Sequence, residues 1–434
     1  MSSAAGNTRK RRGVENRRFC GKSRDSGAMI LRRTCTFVQC APRLKARTEW
    51  FSGGDFARGS QRLVMTSLGA GFALAGLLLR GSAIMRVCLW FALLLWGTGS
   101  PNFEPARSLR EQADARGMLV GTAVRPYALS EMAYSATLGR EFNMLEGEDA
   151  MKWWVLRPDR ATFNFTDGDR VVGFAEVHRM KVRGHNLVWG WTNPAWLTNG
   201  NFKTQELSQM LEEHITTVAK HYRGKVFAWD VVNEGFDEHG KVKPSIWYDQ
   251  PGIGFAGKGT AYIEQTFRWA HAADPDALLF YNDGGAETVN EKSNAIYAMV
   301  KDFKRRGVPI DGVGLQMHIF DLAPDLAGID ANIARFSALG VQIHLTEMDV
   351  AVPLDAYGSP SPEDLAKQAE IYRRVASACL AHSGCTAIQT WGFTDKYSWI
   401  GSATKKAKGA GLLFDRDYHP KPAYEGLRQA LQKQ

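Results

Sequence analysis

Cysteine is scarce in this 434-residue chain: there are six, and only Cys379 and Cys385 lie beyond residue 106. None sits in a C-x-x-C or Cys/His spacing, which excludes the usual zinc frameworks, so no metal site is expected. A glycine-rich phosphate turn is also missing. G-T-A-V at 121–124 stands where a dinucleotide-binding fold would carry one, and no organic cofactor is expected. Long apolar runs are lacking as well. The stretches Leu68–Leu79 and Val87–Trp96 hold about ten to twelve residues each, short of the roughly twenty that span a membrane. No 20–50-residue repeat and no low-complexity tail is present, which excludes a solenoid and an appended binding module.

An excess of positive charge is missing from most of the chain, although the formal net charge is +9. Residues 1–106 hold about 17 Lys/Arg against about 5 Asp/Glu, which leaves the remainder near −3. A slightly acidic body offers no basic face for nucleic acid.

The first hundred residues do not read as a folded domain. Residues 9–47 are arginine-rich and have no sustained apolar period. Met85-Arg86, then V-C-L-W-F-A-L-L-L-W and G-T-G-S, has the charged start, apolar middle and small-residue exit of an export signal. Residues 1–106 are therefore expected to be a leader and linker, disordered or removed, with translation starting at an internal methionine such as Met65 or Met85. The mature protein is expected to be secreted or periplasmic, and monomeric. The rival expectation is a membrane anchor through residues 66–96; without it no stable membrane partner is expected.

From residue 107 to 434 the pattern becomes evenly globular. Strand-like runs fall at Met118–Ala123, Phe142–Glu146, Val182–Val188, Phe227–Val232, Ala277–Tyr281, Gly312–Met317, Gln342–Thr346 and Ala387–Trp391. Helical patterns separate them, as at Thr204–Tyr222, Tyr262–Ala273, Glu291–Arg306 and Glu363–Leu380. Such alternation predicts an α/β protein with one closed (β/α)8 barrel. Nearly every run ends in carboxylates, His, Asn, Gln or Trp, as in W-D-V-V-N-E, F-Y-N-D, G-L-Q-M-H and L-T-E-M-D. In a barrel those ends gather on one face, where active sites are built.

Two glutamates stand out. Glu234 ends the fourth run after Asn233, and Glu347 ends the seventh after Thr346, so both side chains can meet across the barrel. Cleavage of a glycosidic bond with retention needs one carboxyl to protonate the leaving oxygen and one to attack the anomeric carbon, about 5–5.5 Å apart. His318, held by Asp349, is placed to keep Glu347 ionised. Glu234 would then be the acid, raised by the charge of Glu347 and by partial burial. Asn233 is placed to bond the sugar 2-hydroxyl. Cys379 and Cys385 are spaced either to bridge or to remain two thiols.

At W-D-V-V-N-E and L-T-E-M-D the chain resembles glycoside hydrolase family 10, the endo-β-1,4-xylanases built on TIM barrels. The similarity runs from about Leu109 to the C-terminus. It includes F-N-M-L-E-G-E-D-A-M-K-W (142–153), R-G-H-N-L-V-W (183–189), Y-N-D (281–283), G-V-G-L-Q-M-H (312–318), W-G-F-T-D-K-Y-S-W (391–399) and L-L-F-D (412–415). The resemblance implies Glu234 as acid/base and Glu347 as nucleophile, acting on xylan and xylo-oligosaccharides. It implies His185, Trp189, Asn233, Gln316 and His318 around the sugar at the cleavage point, and Glu148, Asp149 and Lys152 on the next sugar, with Trp391 and Trp399 walling that part of the cleft. It also implies a Cys379–Cys385 disulfide.

The chain departs from the family pattern at four positions. Asp149 stands where Asn is usual, Gly190 where a second His is usual, Thr192 where Gln is common, and Gly284 where an aromatic often stacks on the leaving-group sugar. These bear on chain-length and branch preference. Competing functions are a family member acting mainly on short xylo-oligosaccharides or aryl cellobiosides, and a non-catalytic polysaccharide-binding barrel. The second predicts loss of a carboxylate, yet both are present.

Overall fold

Parallel strands alternate with helices and wind into a closed barrel in the computed structural model, which describes residues 107–432. The wall consists of β1 Leu119–Val124, β2 Met144–Gly147, β3 Lys181–Trp189, β4 Val226–Asn233, β5 Leu278–Asp283, β6 Gly312–Leu315, β7 Gln342–Val350 and β8 Cys385–Thr390. Each strand pairs in parallel with the next, and β8 closes the ring on β1. The expected (β/α)8 architecture is present, and all eight strand-like runs are barrel staves.

The staves are buried along almost their whole length, because side chains on one face fill the barrel and those on the other pack under the helices. Helix Glu291–Arg306 shows how local sequence sets an element's limits. Asn290 caps it by accepting the Ser293 N–H at 2.8 Å, Lys304, Arg305 and Arg306 fill its last turn, and Gly307 leaves it at φ 66°.

The stave bounds differ from expectation by a residue or two, and by more at the end of β7, and the ends of β6 and β7 matter for the site. β6 stops at Leu315 instead of Met317, because Met317 turns to φ 64° and cannot continue an extended strand. The chain re-extends at His318–Ile319 and pairs there with Asp349 and Val350, which explains why β7 runs on past Thr346 to Val350. This side-step carries His318 beside the end of β7.

Cys379, near the end of helix Pro362–Ala381, is bridged to Cys385 at the start of β8, with Cα atoms 5.2 Å apart. The leader, the export signal and the 66–96 anchor all fall outside the described residues. Among those described, no helix is long and apolar enough to cross a membrane.

Candidate active site

Glu347 and Asp349 lie two residues apart on β7, so their side chains leave the same face of the strand. His318 sits between them. Its Nε2 is 3.1 Å from Glu347 Oε2 and its Nδ1 is 3.0 Å from Asp349 Oδ2. Burial would discharge this ring, but the two flanking carboxylates outweigh it and hold His318 well above the ordinary histidine range. Burial likewise pushes Glu347 up. The imidazoles of His318 and His185 and the Asn282 amide win, and Glu347 lies below the usual carboxylate range. A 4%-exposed carboxylate that nonetheless stays ionised is what a nucleophile requires.

Glu234 follows the last residue of β4 and takes φ 55°, which turns its side chain out of the stave's alternation. Its N–H donates to the Asn282 carbonyl at 2.9 Å. The Gln316 amide donates to Glu234 Oε1 at 3.2 Å and to Asn233 Oδ1 at 3.3 Å. Asn282 Nδ2 donates to the same Asn233 oxygen at 2.9 Å and to Glu347 Oε1 at 2.8 Å. Four amide contacts of 2.8–3.3 Å therefore run from one glutamate to the other through Gln316, Asn233 and Asn282. Thr346 Oγ1 fixes the Asn282 amide by donating to its oxygen at 2.7 Å.

Sequence reasoning missed two members of this group. Asn282 lay in the Y-N-D motif, at the end of the stave next to β4, and that position was the available signal. Lys243, whose Nζ stands 3.7 Å from Glu234 Oε2, comes from the long loop after β4. No local pattern marks it.

On the other side of the cleft, Lys152 Nζ lies 5.2 Å from the Trp189 ring centre and 5.4 Å from that of Trp391, a cation held between two aromatic faces. Trp391 meets His185 edge-on at 5.3 Å and His318 at 6.4 Å. Trp399 packs on His318 at 4.9 Å, and its indole N–H donates to Asp349 Oδ2 at 2.7 Å. Asp149 pairs with Lys152 at 3.0 Å. Glu148 turns to Arg125, with contacts of 2.6 and 2.9 Å. Arg125, at the mouth of β1, was also not anticipated. Lys152, Trp189, Trp391, His185, His318 and Trp399 are thus linked by direct contacts, and Asp149 joins them through Lys152.

Beneath it lies a layer of buried charge. Arg183 pairs with Asp230 through Nε and one Nη and reaches His344 Nδ1 at 2.7 Å with the other, while His185 Nδ1 shares Asp230 Oδ2 with Arg183 Nε, at 3.0 Å. Glu146, fully buried, has both oxygens unpaired, with Arg183 Nε at 3.8 Å. Burial first, then the charges of Asp230 and Glu347, lift its carboxyl well above the usual range. Glu146, His185 and Asp230 bring donor atoms within 4.8 Å of one another. That set does not fit a metal ion, because the Arg183 guanidinium already occupies Asp230 and supplies the positive charge.

The family model described as Glycosyl hydrolase family 10 matches residues 108–430. Endo-1,4-beta-xylanase B of Thermotoga neapolitana is 43% identical over 300 residues, which cover 69% of this chain and 84% of that one. Endo-1,4-beta-xylanase A of Phanerodontia chrysosporium is 35% identical over 322 residues, covering 74% and 76%. Among solved structures, xylanase 10B from Thermotoga petrophila in complex with xylobiose superposes with a TM-score of 0.70 at 42% identity, over 75% of this chain and 97% of that one.

Proposed function

This chain belongs to glycosyl hydrolase family 10, and from that premise we propose that Glu234 is the acid/base and Glu347 the nucleophile of its reaction. It is an endo-1,4-β-xylanase that cleaves internal xylosidic bonds of xylan with retention. The observation that carries the residue assignment is the amide chain from Glu234 through Gln316, Asn233 and Asn282 to Glu347.

In the first step Glu347 attacks the anomeric carbon as the glycosidic bond breaks, and Glu234 gives its proton to the departing oxygen. Charge lost from Glu347 leaves His318 facing Asp349 alone, so the imidazolium remains balanced. In the second step Glu234 takes a proton from water, the hydroxyl oxygen bonds to the anomeric carbon, and Glu347 leaves as a carboxylate. Asn233, whose Oδ1 accepts from both neighbouring amides, presents its own amide N–H to the sugar 2-hydroxyl. His185, Trp189, Gln316 and His318 surround the sugar at the cleavage point, while Glu148, Asp149, Lys152, Trp391 and Trp399 receive the next sugar.

Residues 107–434 are proposed as the catalytic domain, acting as a monomer. Residues 1–106 are proposed as an export leader, which makes the enzyme secreted or periplasmic. The V-C-L-W-F-A-L-L-L-W segment supports that reading, and N-terminal sequencing of released enzyme tests it. Digestion of linear xylohexaose tests the function. Short internal-cleavage products released first as the β-anomer are expected. An α-anomer, or stepwise loss of one sugar from an end, would contradict it.

A further inference from the structure

The backbone at Glu234 needs an outside support. A non-glycine residue at φ 55° carries a steric cost, so the surroundings must hold it there. Part of that hold is the Glu234 N–H bond to Asn282. The rest comes from a side-chain relay below the cleft. The Gly235 N–H donates to the Tyr281 hydroxyl at 2.8 Å, and that hydroxyl donates to Asp283 Oδ2 at 2.6 Å. The other Asp283 oxygen accepts from the Gly284 N–H at 2.9 Å and pairs with Lys292 Nζ at 2.7 Å. Tyr281 and Asp283 are fully buried and Lys292 nearly so. Asp283 also passes its main-chain carbonyl to the Gln316 N–H at 3.1 Å, and the Gln316 side chain reaches Glu234.

The geometry points to Asp283 as a positioning residue for the acid/base: anchored by Lys292, it fixes through the Tyr281 hydroxyl the turn that aims Glu234 into the cleft. The inference rests on the assignment of Glu234 made above. Asp283 has no side-chain contact with either glutamate; its carboxylate acts on the turn through the Tyr281 bond to Gly235 and by accepting from the Phe236 N–H at 3.5 Å. A buried carboxylate with a single lysine partner is weak support for stability, because desolvation offsets most of the attraction. What this pair does provide is an acceptor of fixed direction for Tyr281. Lys243 and Tyr262 also lie within reach of its charge.

Asp283→Asn and Tyr281→Phe in the full chain, beside Glu234→Gln, test the idea on aryl β-xylobiosides of graded leaving-group ability. Tyr281→Phe leaves the Asp283–Lys292 pair intact and is the variant to rely on if Asp283→Asn does not fold. A misaimed acid hurts only leaving groups that need a proton. Hydrolysis of poor leaving groups should therefore fall about tenfold or more and that of activated ones less than about threefold, a smaller version of the Glu234→Gln pattern. An equal fall on both substrates, or wild-type leaving-group dependence, in folded Tyr281→Phe would overturn the positioning role. If Glu234→Gln itself shows no such split, the acid/base assignment fails and this inference falls with it.

Discussion

Asp349 and Trp399 are joined by an indole N–H···carboxylate bond of 2.7 Å, and the accepting oxygen is the one that stands 3.0 Å from His318 Nδ1. One carboxylate therefore holds an aromatic wall of the cleft and sets the charge on the histidine that faces Glu347.

This relation fixes the sign of a pH effect. In Asp349→Asn the His318 ring loses a charge that raises it, so it discharges at lower pH. Glu347 then loses a cationic partner, and its own ionisation moves to higher pH. The acidic limb of kcat/KM should shift upward relative to wild type. A pH profile with an unmoved acidic limb would show that Asp349 does not act through His318.

The two glutamates should respond differently to replacement. Glu347→Ala is expected to lower turnover on the order of 10⁴-fold or more. Azide should restore it with an inverted glycosyl product, since the anion attacks from the side the carboxylate vacated. In Glu234→Gln, deglycosylation and the cleavage of poor leaving groups should slow, while glycosylation by activated aryl glycosides is spared. Rescue of Glu347→Ala without inversion, seen by NMR of the product, would contradict the nucleophile role.

Gly284 follows β5, and the amide end of Gln316 occupies the space that a side chain there would take. A Cβ there would overlap Oε1 of Gln316, the amide that bonds Glu234 and Asn233. Gly284→Ala should push that side chain aside and lower kcat/KM on xylan by about tenfold, in line with a small displacement in a positioned site. Wild-type kinetics in this variant would mean that Gln316 is not needed where it stands.

Glu146 should make stability depend on pH. Its folded-state carboxyl lies above the unfolded value, so the folded chain binds the proton more tightly. The associated stability is complete below the unfolded value and is lost as pH rises through the folded one. Glu146→Gln has no such loss, and its Tm relative to wild type should grow toward alkaline pH. Parallel Tm curves across pH would contradict a protonated Glu146.

Much of this site was legible because barrel topology turns sequence order into position. Asn233, Glu234, Gln316, Glu347 and Trp391 each follow an apolar run, and parallel strands deliver all such ends to one face. Other features were not legible. Arg183 and Asp230 looked like part of the same polar display, yet they close a buried layer under the cleft with His344. Lys152 pairs with Asp149, while Glu148 pairs with Arg125, the residue that follows β1.

Local pattern alone determined the eight staves, the capped helix Glu291–Arg306 and the pairing of two glutamates as candidate chemistry, because period and capping are properties of neighbouring residues. Only the tertiary structure decided that Met317 turns to bring His318 against Asp349, that Asn282 and Gln316 tie the two glutamates together, and that Lys243 stands beside Glu234. Those relations join segments separated by tens of residues. Their energy comes from burial and directed hydrogen bonds formed when the barrel closes, and no stretch of chain contains both partners.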